Sequence, residues 1–428
     1  MRKIVHVLSI VMALMIVGLI LVITYYNIKP YLNKGTSRAD NNLLAETTPD
    51  LQEPGTSADT DVSVYDSASA VPADESAEDT PVAAAEGLSG FDYDQMSDSR
   101  KSVYAQLYTG IAACKTVFYI NADEPDDIGP ALSGLLADHP EFFWTDGTAS
   151  IYGVDGPGIK KMTVTYNMDP SEIDGIKAQI EAAADGFISG LPEGAGEYDI
   201  VKAAYEYVIL NTDYDNTLSC AQNQNIQSVF INHESVCAGY AKAFQYLLQK
   251  AGLTCAYIEG DITDNGENRA HAWNLLKING TYTFADPTWG DPNYNNDTVD
   301  THAPKIIYSY LCMTSEEMSR SNHVPVSTYT LPDCTSADYD YYRLNGYYQE
   351  TYDADTVKSV MNNAVDNNIT EVHFKFSSFD DYAQAIAQIY DGGLLNSILN
   401  RRLTWDQKSS LQYLSYKNDA LCSIDIYW

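Results

Sequence analysis

After Cys237 the apolar residues Tyr240, Ala241, Phe244, Leu247 and Leu248 recur at intervals of three and four, the period of one helix face. Ser235 stands at the N-cap position and Gly252 closes the run, so the pattern predicts a helix with Cys237 in its first turn. Over residues 269–278 the period changes to two. Asn279 and Gly280 then form a two-residue hairpin turn, and residues 281–286 return as the second strand. In that register Ile278 pairs with Thr281, Trp273 lies opposite Asp286, and His271 lies opposite Thr288. Elsewhere the pattern predicts helices over 99–113, 172–187, 356–364 and 380–390, and strands over 161–166, 371–376 and 421–427. Near the start, residues 7–28 carry no charge and are overwhelmingly apolar. Residues 36–87 are rich in Ser, Thr, Ala, Asp, Glu and Pro, and Arg38 is their one basic residue.

These elements bring chemistry with them. A cysteine in the first turn of a helix meets the positive end of the helix dipole and unpaired backbone N–H groups, which favour thiolate over thiol. The same N–H groups can stabilise an oxyanion. By itself Cys237 reads equally well as an inert core residue. His271 and Asp286 shift that balance. They are diagonal neighbours on one face of the hairpin, where Cα atoms lie roughly 7–8 Å apart. That is within reach of a carboxylate-to-imidazole hydrogen bond. Asp286 would fix the ring and its tautomer and leave the other nitrogen to the thiol. Trp273 and Trp289 argue against a simply solvated face. With Tyr240 they are candidate walls of a substrate cleft. His233 is the rival base, but no carboxylate has an evident way to orient it.

The run Ser235-Val236-Cys237-Ala238-Gly239-Tyr240-Ala241-Lys242-Ala243-Phe244 is followed by Ala270-His271-Ala272-Trp273-Asn274 and by Ala285-Asp286-Pro287-Thr288-Trp289. Together they resemble the transglutaminase-like superfamily, in its bacterial cell-surface branch. The likeness covers roughly residues 199–325 and includes Tyr257-Ile258-Glu259-Gly260-Asp261, the strand that follows the helix. Upstream, Asp138-His139-Pro140-Glu141-Phe142-Phe143-Trp144 resembles a segment found ahead of this domain. The resemblance implies an α+β fold, with a papain/transglutaminase-like core in which the nucleophile helix packs on an antiparallel sheet. It also implies a triad of Cys237, His271 and Asp286. Members form a thioester from an amide, then pass the acyl group to an amine or to water. The oxyanion donor departs from the family pattern. The tryptophan of animal transglutaminases is missing before Cys237, and Ile231 occupies the place of the papain-family glutamine. Gln227 is the remaining candidate.

The organisation expected from these readings is a signal anchor at 1–35, a disordered acidic linker at 36–87 and the front part of a catalytic unit at 88–198. The catalytic core follows at 199–338, and a small C-terminal α/β domain, without a catalytic cluster, at 339–428. About 20 apolar residues span a bilayer. No small-x-small cleavage site closes the segment at 7–28, so the expectation is an uncleaved membrane anchor. Lys29, Lys34 and Arg38 follow the span and leave its orientation open by charge, and the resemblance implies a catalytic domain outside the cell. Acids outnumber bases 59 to 25, for a net charge of −34. That argues against nucleic acid and anionic lipid as partners, since both need basic patches; the partner that the resemblance implies is a protein or peptide at the cell surface. Substrate identity and oligomeric state stay open. Seven cysteines without a CxxC pair exclude a zinc ribbon, and an odd count outside the cell leaves a thiol unbridged. Cys220 and Cys255 remain available for pairing. His6, His139, His233, His302, His323 and His373 show no metal-ligand spacing. The acidic loop at 291–300 lacks an EF-hand pattern, so neither metal nor other cofactor is expected. Two function classes follow. One is an anchored extracytoplasmic cysteine acyltransferase or hydrolase. The other is a catalytically silent surface binding module that keeps the fold. Intact Cys, His and Asp favour the enzyme.

Overall fold

The computed structural model describes residues 80–153, 156–264, 267–291, 306–327, 329–401 and 413–428, with the backbone of two short strands at Leu44–Glu46 and Val62–Tyr65. The apolar segment at 7–28 and most of the acidic loop, 292–300, lie outside the described residues. Among the described residues no helix is long and apolar enough to cross a membrane.

An antiparallel sheet organises the centre. Its strands run in the order Thr281–Ala285, Glu267–Ile278, Cys255–Asp264 and His323–Pro325. Asn279 and Gly280 both take positive φ, 47° and 88°, the backbone that a two-residue hairpin turn requires. Ile278 pairs with Thr281 and Asn274 with Ala285, the register expected from the turn. The helix Cys237–Lys250 lies against this sheet with Tyr240, Phe244, Leu247 and Leu248 buried. Asn274 anchors it, since its buried Nδ2 donates to Ala241 O at 2.9 Å. Gly252, at φ 81°, turns the chain out of the helix.

Ser235 does not cap this helix. Val236 is the N-cap residue. Ser235 is instead held in a short parallel pairing, Glu234–Ser235 with Asp213–Tyr214. Its hydroxyl meets Ser228 Oγ at 2.6 Å and Asn223 O at 3.0 Å. The preceding loop therefore takes the hydroxyl that a cap would have used. Gly239 makes room for this arrangement, because a Cβ there would sit 2.0 Å from Ser235 Oγ.

The front part supplies helices at Asp98–Ala112, Ile128–Asp138 and Pro170–Gly190. Its sheet places Val62–Tyr65 parallel to Ala149–Tyr152, with Gly158–Val164 and Val117–Ala122 beyond. The chain is laid onto the fold from within the segment read as linker. Val82 N donates to Tyr119 O, Ala85 N donates to Ala105 O, and Val82 packs on the core. The 138–144 segment is a joint. Gln245 and Gln249, on the cysteine helix, donate to Ala137 O and Asp138 O at 2.8 and 3.0 Å. Asp138 in turn accepts from Asp92 N and Tyr93 N.

Residues 339–428 build their own apolar cluster around Val357, Met361, Phe374, Ile424 and Ile426. Glu371–Phe376 forms as expected from the pattern. The helix Phe379–Ile386 gives way to a wider turn at Ala387–Asp391. Residues 339–428 are tied to the rest of the fold by polar contacts, and Tyr416, Leu421 and Tyr427 join the main core. Tyr427 Oη donates to Ile306 O at 2.7 Å, and Asn418 Nδ2 donates to Tyr310 Oη at 2.8 Å. Lys375 Nζ sits 2.5 Å from both Glu317 and Asp340. All seven cysteines are free thiols.

Candidate active site

Cys237 is the first residue of its helix and is buried. The loop ahead of it is clamped by Asp215, which accepts from Ser219 N, Cys220 N, Thr217 Oγ1 and Asn223 Nδ2. Burial would raise the Asp215 pKa, but these hydrogen bonds hold it below the ordinary value. Asn223 O then accepts from Val236 N, so the residue before Cys237 is fixed by a carboxylate that stays ionised. Cys237 packs with Ala238, Ala241, Tyr257 and Ala272. Ala272 is the chain neighbour of His271.

His271 Nε2 lies 2.8 Å from Asp286 Oδ2, and both side chains are buried. The diagonal contact expected across the hairpin is thus present. A second imidazole shares the same oxygen, with His323 Nε2 3.0 Å from Oδ2. The other carboxylate oxygen, Oδ1, accepts from Thr288 N at 2.9 Å and Trp289 N at 3.1 Å. Four N–H groups therefore converge on one carboxylate. Burial opposes the charge, but attraction and hydrogen bonding from His271, with help from His323, push the Asp286 pKa well below the usual carboxylate range. An ionised carboxylate only accepts, so each Nε2 must carry a hydrogen. His271 in its neutral form is therefore the Nε2–H tautomer, with its basic lone pair on Nδ1.

His323 is pulled below the ordinary histidine pKa by burial, against the attraction of Asp286. In the neutral Nε2–H form its Nδ1 accepts from Ser321 Oγ, 2.9 Å away. Trp273 stacks on His271 with ring centres 6.0 Å apart, while Trp289 meets His323 edge-on at 4.6 Å. The close approach of the His323 strand depends on Gly260, which pairs with His271. A Cβ at Gly260 would sit 2.3 Å from Val324 O and 2.4 Å from the Trp273 ring.

His271, Asp286 and His323 bring three ligand-type atoms within 4.8 Å of one another. Their contacts of 2.8 and 3.0 Å are hydrogen-bond lengths. The site reads as a hydrogen-bonded cluster around a carboxylate. No spacing rule points to His323, because its strand is three residues long and shows no period.

A cleft of about 270 Å³ is lined among others by His139, Phe143, Asp146, Lys242, Tyr257 and Glu259; Cys237, His271 and Asp286 are not among its lining residues. Tyr257 links it to Cys237 through packing. Burial pulls the Lys242 ammonium below its ordinary value, while Glu259, Cys237 and Asp146 attract its charge. Burial, with Asp138 and Glu259 nearby, pushes Asp92 in the same cleft up to about 8.

The other expected site residues fall as follows. Tyr240, Trp273 and Trp289 are buried, and none is among the cleft's lining residues. Tyr240 Oη is within hydrogen-bond distance of Thr212 O and Asp291 Oδ2. Gln227 precedes the wide turn Ser228–Asn232, and its backbone N–H donates to Asn225 Oδ1. No described hydrogen bond joins it to Cys237. His233 takes a left-handed φ of 58° and meets Asn211 O at 2.9 Å.

Known proteins resemble this part of the chain. Human kyphoscoliosis peptidase is 24% identical over 177 residues, which are 38% of this chain and 26% of that protein. The mouse kyphoscoliosis peptidase is 23% identical over the same length. The chain thus spans about a quarter of the length of the curated relatives it matches. Among solved structures, a TGase crystal structure aligns at 14% identity and a TM-score of 0.25, over 37% of this chain and 48% of that one. The periplasmic domain of TgpA from Pseudomonas aeruginosa aligns at 15% identity and a TM-score of 0.20, over 32% and 57%. The family model that matches residues 185–287 covers both the cysteine helix and the His271–Asp286 hairpin, and the chain carries a domain of the transglutaminase-like superfamily.

Proposed function

We propose that this chain is a thiol enzyme that makes an acyl-enzyme from an amide and then transfers the acyl group to an amine or to water. Cys237 is the nucleophile, His271 the acid and base, and Asp286 the orienting carboxylate. One observation carries the reading. His271 Nε2 is engaged by a buried, ionised Asp286 at 2.8 Å, on a strand whose next residue packs against the helix-start cysteine. That arrangement supports Nδ1 as the atom that takes the thiol proton.

The steps follow from it. The Cys237 S–H proton passes to His271 Nδ1, and the thiolate attacks the amide carbon to form a C–S bond. Backbone N–H groups in the first helix turn are the candidate oxyanion donors. The imidazolium returns its proton to the departing amine as the C–N bond breaks. His271 then takes a proton from the incoming amine or water as it opens the thioester. The cleft of Lys242, Tyr257 and Glu259 is the proposed seat of the substrate. On this reading the substrate is a protein or peptide at the cell surface, and residues 7–28 anchor the enzyme in the membrane with its catalytic part outside. A relative named a peptidase is in keeping with transfer to water.

The test is alkylation of the full chain with iodoacetamide across pH 4 to 9, with each cysteine mapped by mass spectrometry. Cys237 is expected to react selectively below about pH 7, against an ordinary thiol pKa of about 8.5. His271→Ala and Asp286→Asn should abolish that selectivity. If Cys237 reacts only like an ordinary thiol, the chain is better read as a surface binding module.

A further inference from the structure

The site contains a buried titratable group that the steps above do not use. His323 lies on a different strand from His271, yet its Nε2 reaches the same carboxylate oxygen, 3.0 Å against 2.8 Å. Its other nitrogen is held by Ser321. Three aromatic rings, those of Trp273, Trp289 and Tyr310, fix its plane. A buried histidine satisfied on both sides and shared with the orienting carboxylate is more than packing.

We infer that His323 is a positioning residue of the same site: its Nε2–H occupies Asp286 Oδ2 and limits how tightly that carboxylate holds the proton of His271. The inference rests on the triad reading. Its physical basis is competition for one acceptor. A carboxylate with a single strong donor pulls on that donor more than one shared between two. An imidazolium held too tightly by Asp286 would be a poor acid toward the leaving amine. Sharing Oδ2 keeps His271 able to give its proton back. The titratable groups that face this cluster are Cys237, Tyr205 and Tyr310, besides the two histidines and Asp286. Burial and the Asp286 charge push both tyrosine hydroxyls up, so they stay neutral.

The test needs no substrate. Iodoacetate is an anion, so an imidazolium beside the thiolate accelerates its attack. Its rate on Cys237 in the full-length protein should trace a bell in pH. The alkaline limb of the bell marks loss of the His271 proton. His323→Phe, which has no donor, and His323→Asn, whose amide is too short to take the place of Nε2, should move that limb up by about one pH unit, a tenfold change in proton affinity. His323→Gln can place an N–H near the lost one and should restore the limb. The asparagine variant decides the matter if the phenylalanine variant does not fold. A clear bell in the unsubstituted protein, with an alkaline limb that neither variant moves, overturns the role of His323 and leaves the triad standing. A single rise at the ordinary thiol pKa in the unsubstituted protein removes the triad, and this inference falls with it.

Discussion

Gly260 shows how much of the site hangs on a missing methyl group. It pairs with His271 on one side, and Val324 O and the Trp273 ring close over its Cα on the other. Gly260→Ala must push back either the His323 strand or the indole. Overpacking of this kind costs about 1–3 kcal/mol, to be read from denaturant unfolding, and should loosen the His323 contact with Asp286. Asp92 carries a pH signature. Its carboxyl is pushed from 3.8 up to about 8 by burial, with Asp138 and Glu259 adding repulsion. Between those values the folded protein keeps a proton that the unfolded chain has released, so this residue's contribution to stability falls as pH rises from about 4 toward 8. Asp92→Asn should flatten the dependence. Urea unfolding at pH 5 and pH 9 should differ less in the variant than in the parent, and an equal difference would disprove the assignment.

At the scale of elements, legibility in the sequence followed the length of the signal. The cysteine helix and the hairpin each repeat a period several times, and Asn279-Gly280 fixes the register to the residue, so the His271–Asp286 contact followed from counting. His323 was out of reach because its three-residue strand has no period. Its place is set by packing against Gly260 and by the pairing of His323 with Ile262. Ser235 shows the reverse case. A residue of the right type stood at the cap position, but the two-residue pairing with Asp213–Tyr214 claimed it. Tyr240, Trp273 and Trp289 have the size of cleft residues, but they fill the interior. The cleft against Tyr257 draws His139 and Phe143 from a distant part of the chain.

At the scale of the whole molecule, residues 339–428 are bonded to the elements that lead to His323 and carry Tyr310. Lys375 reaches out of their sheet to Glu317 and Asp340. Burial disfavours the ammonium, but the two carboxylates hold its pKa above the ordinary lysine value. Glu317 belongs to the helix Ser315–Arg320, which leads directly into Ser321 and His323. Asn418 holds Tyr310, whose ring packs on Trp289. Lys375→Met would leave two buried carboxylates without their cation, a loss of about 3–5 kcal/mol. Thermal unfolding should show it as a lower midpoint. Because the helix leads to His323, the iodoacetate bell should change as well.

The hairpin turn also bears on timing. His271 and Asp286 are 15 residues apart and can meet as soon as the hairpin closes, an event of about 1–10 μs. The contacts that complete the surroundings span much more chain, 37 residues from Asp286 to His323 and 108 from Tyr310 to Asn418. Contacts of long span form late because the chain entropy of closing them is lost before they are rewarded. A newly made chain would therefore carry the imidazole–carboxylate pair early and its finished environment last. In the proposed enzyme the imidazole–carboxylate pair would thus predate the His323 contact that tunes it, and Cys237 would reach its final reactivity only after both had formed.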